Sequence, residues 1–267
     1  MRSAALLVLA LASACGARTD FEHARSLESR GEPLEAVKAY DGFVKDHPQD
    51  RRVQEAEYRA GMLYARVMHR CPEARHDLEA AARADGAWAE PARQALMSCP
   101  DYFPIPEGAR WTYVDSLSGG KNMRLELAVK VSSADAAGVV TGAFYAGTQL
   151  FRDYKRAYRK QDWSVWEDEE GVDSPILRWP YAEGRTWTVP RKGGDVTYTI
   201  VSDRAVVDVK AGRFTRCLKV RSQTAGYPSW VFDYYCPGVG RVKTTVGVPG
   251  AENPNTELSK TTLTEER

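Results

Sequence analysis

Apolar and polar positions follow three different rules along this chain. Ala4 to Leu11 is an unbroken apolar run. From Phe21 to Ser98, apolar residues recur three and four apart in a background of Ala, Glu and Arg, the period of amphipathic helices. After Pro100 the period shortens to two, in short runs rich in Val, Thr, Tyr and Trp that Gly and Pro turns interrupt; this is an antiparallel β pattern. The expected fold is α+β. It has a helical domain at 21–100, a stiff connector at 101–107 set by Pro100, Pro104 and Pro106, and an antiparallel β domain at 108–264 forming a curved sheet or half-barrel. The expected strands are 110–117, 123–132, 139–145, 149–158, 163–168, 186–189, 196–202, 206–209, 214–222, 230–236, 242–246 and 258–263.

A short echo runs through the β pattern. Gly108-Ala109-Arg110-Trp111-Thr112 returns as Gly184-Arg185-Thr186-Trp187-Thr188, each copy following a proline-containing turn and opening a hairpin, which predicts two related half-sheets.

Arg2, the apolar run and the small trio Ala12-Ser13-Ala14 have the layout of an export signal at 1–14. The run is too short to span a bilayer. Because the trio ends on Cys15, the segment resembles the lipobox of bacterial lipoproteins. The resemblance implies acylation of Cys15, with an anchor and tether at 15–20. Gly16, which is not acidic, implies an outer-membrane address facing the periplasm. An ordinary secretory leader cut nearby fits the same residues. A tether of Gly16 to Thr19 reaches about 15 Å when extended, so the helical domain would lie close to the membrane.

The remaining cysteines, Cys71, Cys99, Cys217 and Cys236, are even in number in a compartment that permits disulfides. Chain position favours Cys71 with Cys99 and Cys217 with Cys236. In a stack of antiparallel helices, a helix opening at Cys71-Pro72 begins beside the end of the next one at Cys99-Pro100. A hairpin turn at 225–228 sets Cys217 opposite Cys236, and Gly226 and Pro228 suit that turn independently.

Within the helical stretch, Ala24, Leu27 and Gly31, then Ala36, Tyr40, Phe43 and Pro48, fall at the spacing of a tetratricopeptide repeat. Gly61, Tyr64, Ala74, Leu78 and Ala81 outline a weaker second copy, with Trp88 to Met97 as a closing helix. The domain thus resembles a small tetratricopeptide-like module, and the resemblance implies a surface that docks a protein partner. In the β half, Phe103-Pro104, Gly108 and Trp111-Thr112-Tyr113 at one end and Tyr234-Tyr235-Cys236-Pro237-Gly238-Val239-Gly240-Arg241-Val242-Lys243 at the other are similar to a family of uncharacterised exported bacterial proteins. That resemblance implies a lipoprotein-carrier-like half-barrel and no particular activity.

Charge narrows the partners. The chain carries 37 basic and 36 acidic residues, and losing Arg2 with the leader makes them equal, which disfavours nucleic acid. No nucleotide loop, zincin helix or nucleophile elbow is present. All four histidines, His23, His47, His69 and His76, fall in the helical half, so the β domain lacks a histidine base. No catalytic residue, cofactor or metal is expected. His69, Cys71 and His76 read as two surface histidines beside a disulfide cysteine. Glu22, Glu28, Glu32 and Glu35 read as a solvated helix face, and Glu167-Asp168-Glu169-Glu170 as a solvated turn. Trp163, Trp166, Trp179, Tyr181, Trp187 and Trp230 read as sheet core before ligand pocket. The run Arg152, Lys155, Arg156, Arg159 and Lys160, alternating with Tyr154 and Tyr158, reads as a charged edge strand. The expected function is a non-enzymatic envelope lipoprotein, anchored through Cys15, that docks an envelope protein. The alternative is a carrier or chaperone for a lipophilic ligand in the half-barrel.

Overall fold

The computed structural model describes residues 3–83, 85–133, 136–169, 171–191 and 193–265, with side chains from residue 16 onward. It contains two compact units, 1–99 and 100–267.

The first unit is helical: α1 (Ser3–Ser29), α2 (Pro33–Asp46), α3 (Val53–Met62) continued by a π-helical turn (Leu63–Val67), α4 (Cys71–Arg83) and α5 (Ala89–Met97). Residues 16–20 lie inside α1, so the extended tether expected there is helical instead. The reason is packing. Ala17, Phe21 and Ala24 are spaced i, i+4, i+7 and are all buried in one cluster with Ala36, Val37, Tyr40 and Phe43 of α2, which carries the helix back toward Cys15. The side chains of the leader and of Cys15, and Arg2 altogether, lie outside the described residues.

Small residues set the helix spacing. A Cβ on Gly61 would sit 2.6 Å from Leu78 Cγ, so only glycine lets α3 and α4 approach this closely. Trp88, just ahead of α5, stacks on Tyr58 of α3 with ring centroids 4.9 Å apart. A disulfide joins Cys71 to Cys99 with Cα atoms 5.2 Å apart. Closing that loop contributes about 3 to 4 kcal/mol in the chain-entropy account. The glutamates are not one solvated face. Glu28 accepts a 2.6 Å hydrogen bond from the Tyr40 hydroxyl and pairs with Arg59 at 3.2 Å, because the helical stripe rotates it toward α2 and α3. Glu22, Glu32 and Glu35 pair with Arg25, Arg30 and Lys38 at the surface.

The second unit is a twelve-stranded antiparallel sheet: β1 (Arg110–Asp115), β2 (Met123–Ser133), β3 (Ala137–Ala146), β4 (Gln149–Gln161), β5 (Ser164–Glu169), β6 (Val172–Arg178), β7 (Thr186–Val189), β8 (Val196–Val209), β9 (Gly212–Thr224), β10 (Trp230–Cys236), β11 (Gly240–Val248) and β12 (Ala251–Thr261). Its order, β6-β5-β4-β3-β2-β1-β12-β11-β10-β9-β8-β7, makes two six-stranded meanders joined through the β1–β12 pair. The end strands β6 and β7 meet across a seam, where Trp187 Nε1 donates to Pro175 O at 2.9 Å and Leu177, Val165, Trp187 and Ile200 share one buried cluster. The sheet is therefore a nearly closed barrel, further closed than the half-barrel expected.

Three expectations fail for local reasons. β6 carries Pro175, which disguises it; Pro175 sits opposite Trp166 at a bulge on a terminal strand, where a missing N–H is tolerated. Residues 196–202 and 206–209 are a single strand, β8, interrupted by successive register shifts between Ile200 and Val207. Residues 101–107, expected as a stiff connector, belong to the second unit instead. Tyr102 and Ile105 are buried in the barrel, Gly238 N donates to Asp101 O at 2.8 Å, and Lys160 Nζ donates to Asp101 Oδ2 at 2.6 Å, so this strap is part of the barrel. The β9–β10 register keeps a constant sum of positions from Val231↔Ser222 to Tyr235↔Leu218, and one step further Cys217 and Cys236 are disulfide-bonded, Cα atoms 4.2 Å apart.

Candidate ligand cavity

Alternation along the strands decides what faces the barrel interior. On β4 the positions 154, 156, 158 and 160 share a face, and it points inward: Tyr158 and Lys160 are buried, Tyr154 and Arg156 half-buried. On β5 the same parity directs Val165 and Glu167 inward, on β10 Asp233 and Tyr235, and on β1 Trp111 and Tyr113.

These side chains bound a cavity of about 180 Å³ inside the barrel unit. Its wall is aromatic: Phe103 from the strap, with Trp111, Tyr113, Tyr154, Tyr158, Tyr198 and Tyr235. Leu127, Val140 and Ile176 complete the apolar part, and Glu167, Asp233 and Arg241 are the charged groups. The two ends of the segment that resembles the exported family meet here. Trp111 Nε1 donates to Val239 O at 2.8 Å, and the Tyr113 hydroxyl donates to Arg241 O at 2.7 Å. Gly240 is at φ +87 beside Pro104, a backbone conformation that favours glycine and brings the β10–β11 turn against the strap.

The polar groups form two sets. In one, the hydroxyls of Tyr154 and Tyr158 are 2.7 Å apart and the Tyr158 hydroxyl donates to Glu167 Oε1 at 2.8 Å, with Arg156 Nε 4.0 Å from the same oxygen. Arg156 also pairs with Glu169. In the other, Asp233 Oδ1 accepts from the Thr244 hydroxyl at 2.6 Å and lies 3.6 Å from Arg241 Nη1. The Arg241 guanidinium sits 5.4 Å from the Tyr113 ring centroid. Burial works against the Arg241 charge, and Asp233 together with the hydroxyls of Tyr113, Tyr235 and Tyr154 more than offsets it, so the guanidinium stays cationic. Its side chain borders the cavity and keeps 34% of its surface accessible. Burial pushes the Tyr113 hydroxyl up to about 12 and raises those of Tyr154, Tyr158 and Tyr235, so the tyrosines are neutral hydrogen-bonding groups at ordinary pH.

Several sequence expectations are corrected by this arrangement. Glu167, Asp168 and Glu169 lie on β5, not in a solvated turn, and Glu167 enters the cavity; Glu170 lies outside the described residues. The basic run is an edge only in part. β4 pairs with β3 along its length and with β5 from Ala157 to Gln161, so Arg159 and Lys160 are in paired strand. Arg159 makes a two-pronged contact with Asp173 at 2.6 and 2.8 Å, while Lys160 is buried against Asp101. Arg152 and Lys155 remain exposed on the segment paired on one side alone.

None of Trp163, Trp166, Trp179, Tyr181, Trp187 and Trp230 is among the cavity-lining residues. Trp163 stacks on Trp179 at 4.5 Å, Tyr181 meets Tyr102 edge-on, Trp187 stacks on Tyr198 at 5.2 Å, Trp230 packs beside Phe232, and Trp166 Nε1 donates to Gln161 O. In the helical unit, Cys71 is disulfide-bonded, His76 contacts Asp77 at 2.9 Å, and no group of three or more His, Cys, Asp or Glu suited to a metal occurs among the described residues. Among the described residues, no helix is long and apolar enough to cross a membrane.

The cavity residues were missed because each has a commoner surface meaning. Tyr154, Arg156, Tyr158 and Glu167 sit in strongly charged runs. The signal available was parity: on β4 all the alternating inward positions are polar or aromatic, which fits a strand facing a wet interior.

No family model matches the chain, and no curated protein does. Two solved structures are similar to it in part. One, described as an exported protein with a YmcC-like fold from Bacteroides fragilis, is 14% identical, covering 60% of this chain and 97% of its own, with a TM-score of 0.43. The other, a β-barrel-like protein of the domain of unknown function DUF1849 from Brucella abortus, is 8% identical, covering 61% of this chain and 100% of its own, with a TM-score of 0.30.

Proposed function

We propose that this chain is an exported cell-envelope protein that works by binding, without catalysis, and that its barrel holds a small amphipathic molecule. The observation that carries this reading is the cavity itself, with aromatic walls and a few charged groups gathered at one site. Its size selects the occupant. About 180 Å³ exceeds the roughly 150 Å³ that admits benzene and falls below the roughly 300 to 1,000 Å³ of sites for drug-sized ligands. A ring or short chain fits within it. This reading takes up the lipophilic-carrier alternative, with a small molecule as the cargo.

The test is native mass spectrometry of the exported chain with displacement of a small fluorescent probe, in wild type and in Val140→Trp, which fills the cavity from β3. A bound small molecule in wild type that is lost in the folded variant supports the reading. Equal probe uptake by both proteins would overturn it.

The helical unit favours a second, compatible reading as a tetratricopeptide-like module docking an envelope protein. Its support is the small-to-large packing of Gly61 against Leu78 and of Ala24 and Ala36 around Tyr40 and Phe43. An acylated Cys15 would then join α1 directly to the outer membrane. Detergent phase partitioning of wild type and Cys15→Ser tests the anchor: both forms in the aqueous phase would refute it.

A further inference from the structure

The charged groups of the cavity are not equally occupied. The Tyr154 and Tyr158 hydroxyls form a chain that ends on Glu167, and Asp233 already accepts the Thr244 hydroxyl. Both carboxylates therefore receive a donor from the protein. Two donors that line the cavity on one wall are placed to meet a ligand. The Arg241 side chain borders the cavity and keeps a third of its surface accessible. Its guanidinium stands 3.6 Å from Asp233, beyond hydrogen-bonding distance, and hydrogen-bonds the Tyr113 hydroxyl, which leaves other N–H groups of the fork to meet a ligand. The Tyr235 hydroxyl shares that wall, since Tyr235 and Arg241 are opposite residues in the β10–β11 ladder.

We infer that the barrel ligand is a small aromatic or short aliphatic carboxylate, seated with its carboxylate on the Arg241 fork and the Tyr235 hydroxyl and its apolar body against Trp111, Tyr113 and Tyr154. A planar fork matches a carboxylate in two parallel hydrogen bonds, the geometry for which arginine is suited. Asp233 opposes the ligand charge and competes for the same guanidinium. The site therefore makes a prediction of opposite signs: loss of Arg241 weakens binding and neutralising Asp233 tightens it. This inference rests on the binding reading above and adds the ligand class.

The experiment is calorimetric titration of the full exported chain with benzoate, benzyl alcohol and benzylamine, three probes of similar size and different charge. Benzoate should bind best. Arg241→Gln should weaken benzoate at least about 10-fold more than it weakens benzyl alcohol, as expected for loss of a charge-assisted hydrogen bond. Tyr235→Phe should weaken benzoate a few-fold, and Asp233→Asn should strengthen it. Arg241→Lys, which keeps the charge and loses the fork, should fall between wild type and Arg241→Gln, and it stands in if Arg241→Gln fails to fold. Benzyl alcohol or benzylamine binding as well as benzoate, or Asp233→Asn weakening benzoate, would overturn the carboxylate assignment while leaving the cavity reading standing. Binding of none of the three probes would remove both.

Discussion

The two halves of the barrel open with the same short motif and end differently. Gly108 and Gly184 both take positive φ, +81 and +84. Each donates its N–H across to the next strand, Gly108 to Val129 O and Gly184 to Ile200 O, and each receives a return bond one residue on, at Ala109 O and Arg185 O. Each tryptophan then donates its indole N–H to a distant carbonyl, Trp111 to Val239 and Trp187 to Pro175. Beyond that the halves diverge. Trp187 is packed among Val189, Leu177 and Ile200 and stacked on Tyr198, and it seals the seam. Trp111 borders the cavity with Tyr113 and Arg241. Aliphatic side chains from the facing wall fill space, whereas tyrosines and charged groups tethered by hydrogen bonds hold a wall open. The motif starts a strand; its neighbours decide between core and cavity.

Substitution at the two tryptophans attacks that contrast most directly. Trp187→Ala should cost about 4 kcal/mol, since it empties a filled core and breaks the seam bond, while Trp111→Ala should cost about 1 kcal/mol less because one face of its ring already borders a void. Urea unfolding measures both, and equal losses would erase the distinction.

The strap ahead of β1 offers the next test. Lys160→Met should cost about 3 kcal/mol by removing the ammonium that meets the enclosed Asp101 carboxylate, and adding Asp101→Leu should restore much of it. Additive losses in the double-mutant cycle would show that the pair does not hold the strap. A smaller loss, about 1 kcal/mol, is expected for Tyr158→Phe, which removes both hydroxyl bonds of the Tyr154–Tyr158–Glu167 chain. No change in stability there would mean that the polar wall is not held by this chain.

The smallest effect concerns acid. Hydrogen bonds from the Ser118 hydroxyl, and then from the N–H groups of Ser118 and Met123, hold Asp115 at about 2, and β7 carries no acid at the matching end. A carboxylate lowered by folding stabilises the protein above its ordinary pKa of about 4, and that contribution is lost as pH falls toward about 2. Asp115→Asn should therefore flatten the pH dependence of stability within that window, as read by denaturation at a series of pH values. An unchanged slope would separate the β1–β2 turn from the acid response.

Much of the architecture was readable from single residues. Gly61, Tyr40 and Phe43 announce close-packed helices, Gly226 and Pro228 place the turn that aligns Cys217 with Cys236, and the repeated Gly-x-x-Trp-Thr spacing marks the two meanders. The site was readable only in part. Tyr235 and Arg241 lie in a conspicuous segment, yet nothing local says that they face inward. Glu167 looks like part of an acidic turn, and Pro175 hides the strand that makes its neighbour β5 interior.

Order along the chain, turn positions, disulfide partners and the paired openings of the barrel are settled by local rules: apolar period, glycine at positive φ, and constant register across a hairpin. The tertiary structure alone decided that the strap from Asp101 to Glu107 enters the barrel, that Lys160 is buried, and that Tyr154, Tyr158, Glu167, Asp233 and Arg241 converge on one space. The physical reason is that a charged residue on a strand reads the same whether its face meets bulk water or an enclosed cavity, and only closure of the sheet between β6 and β7 distinguishes the two.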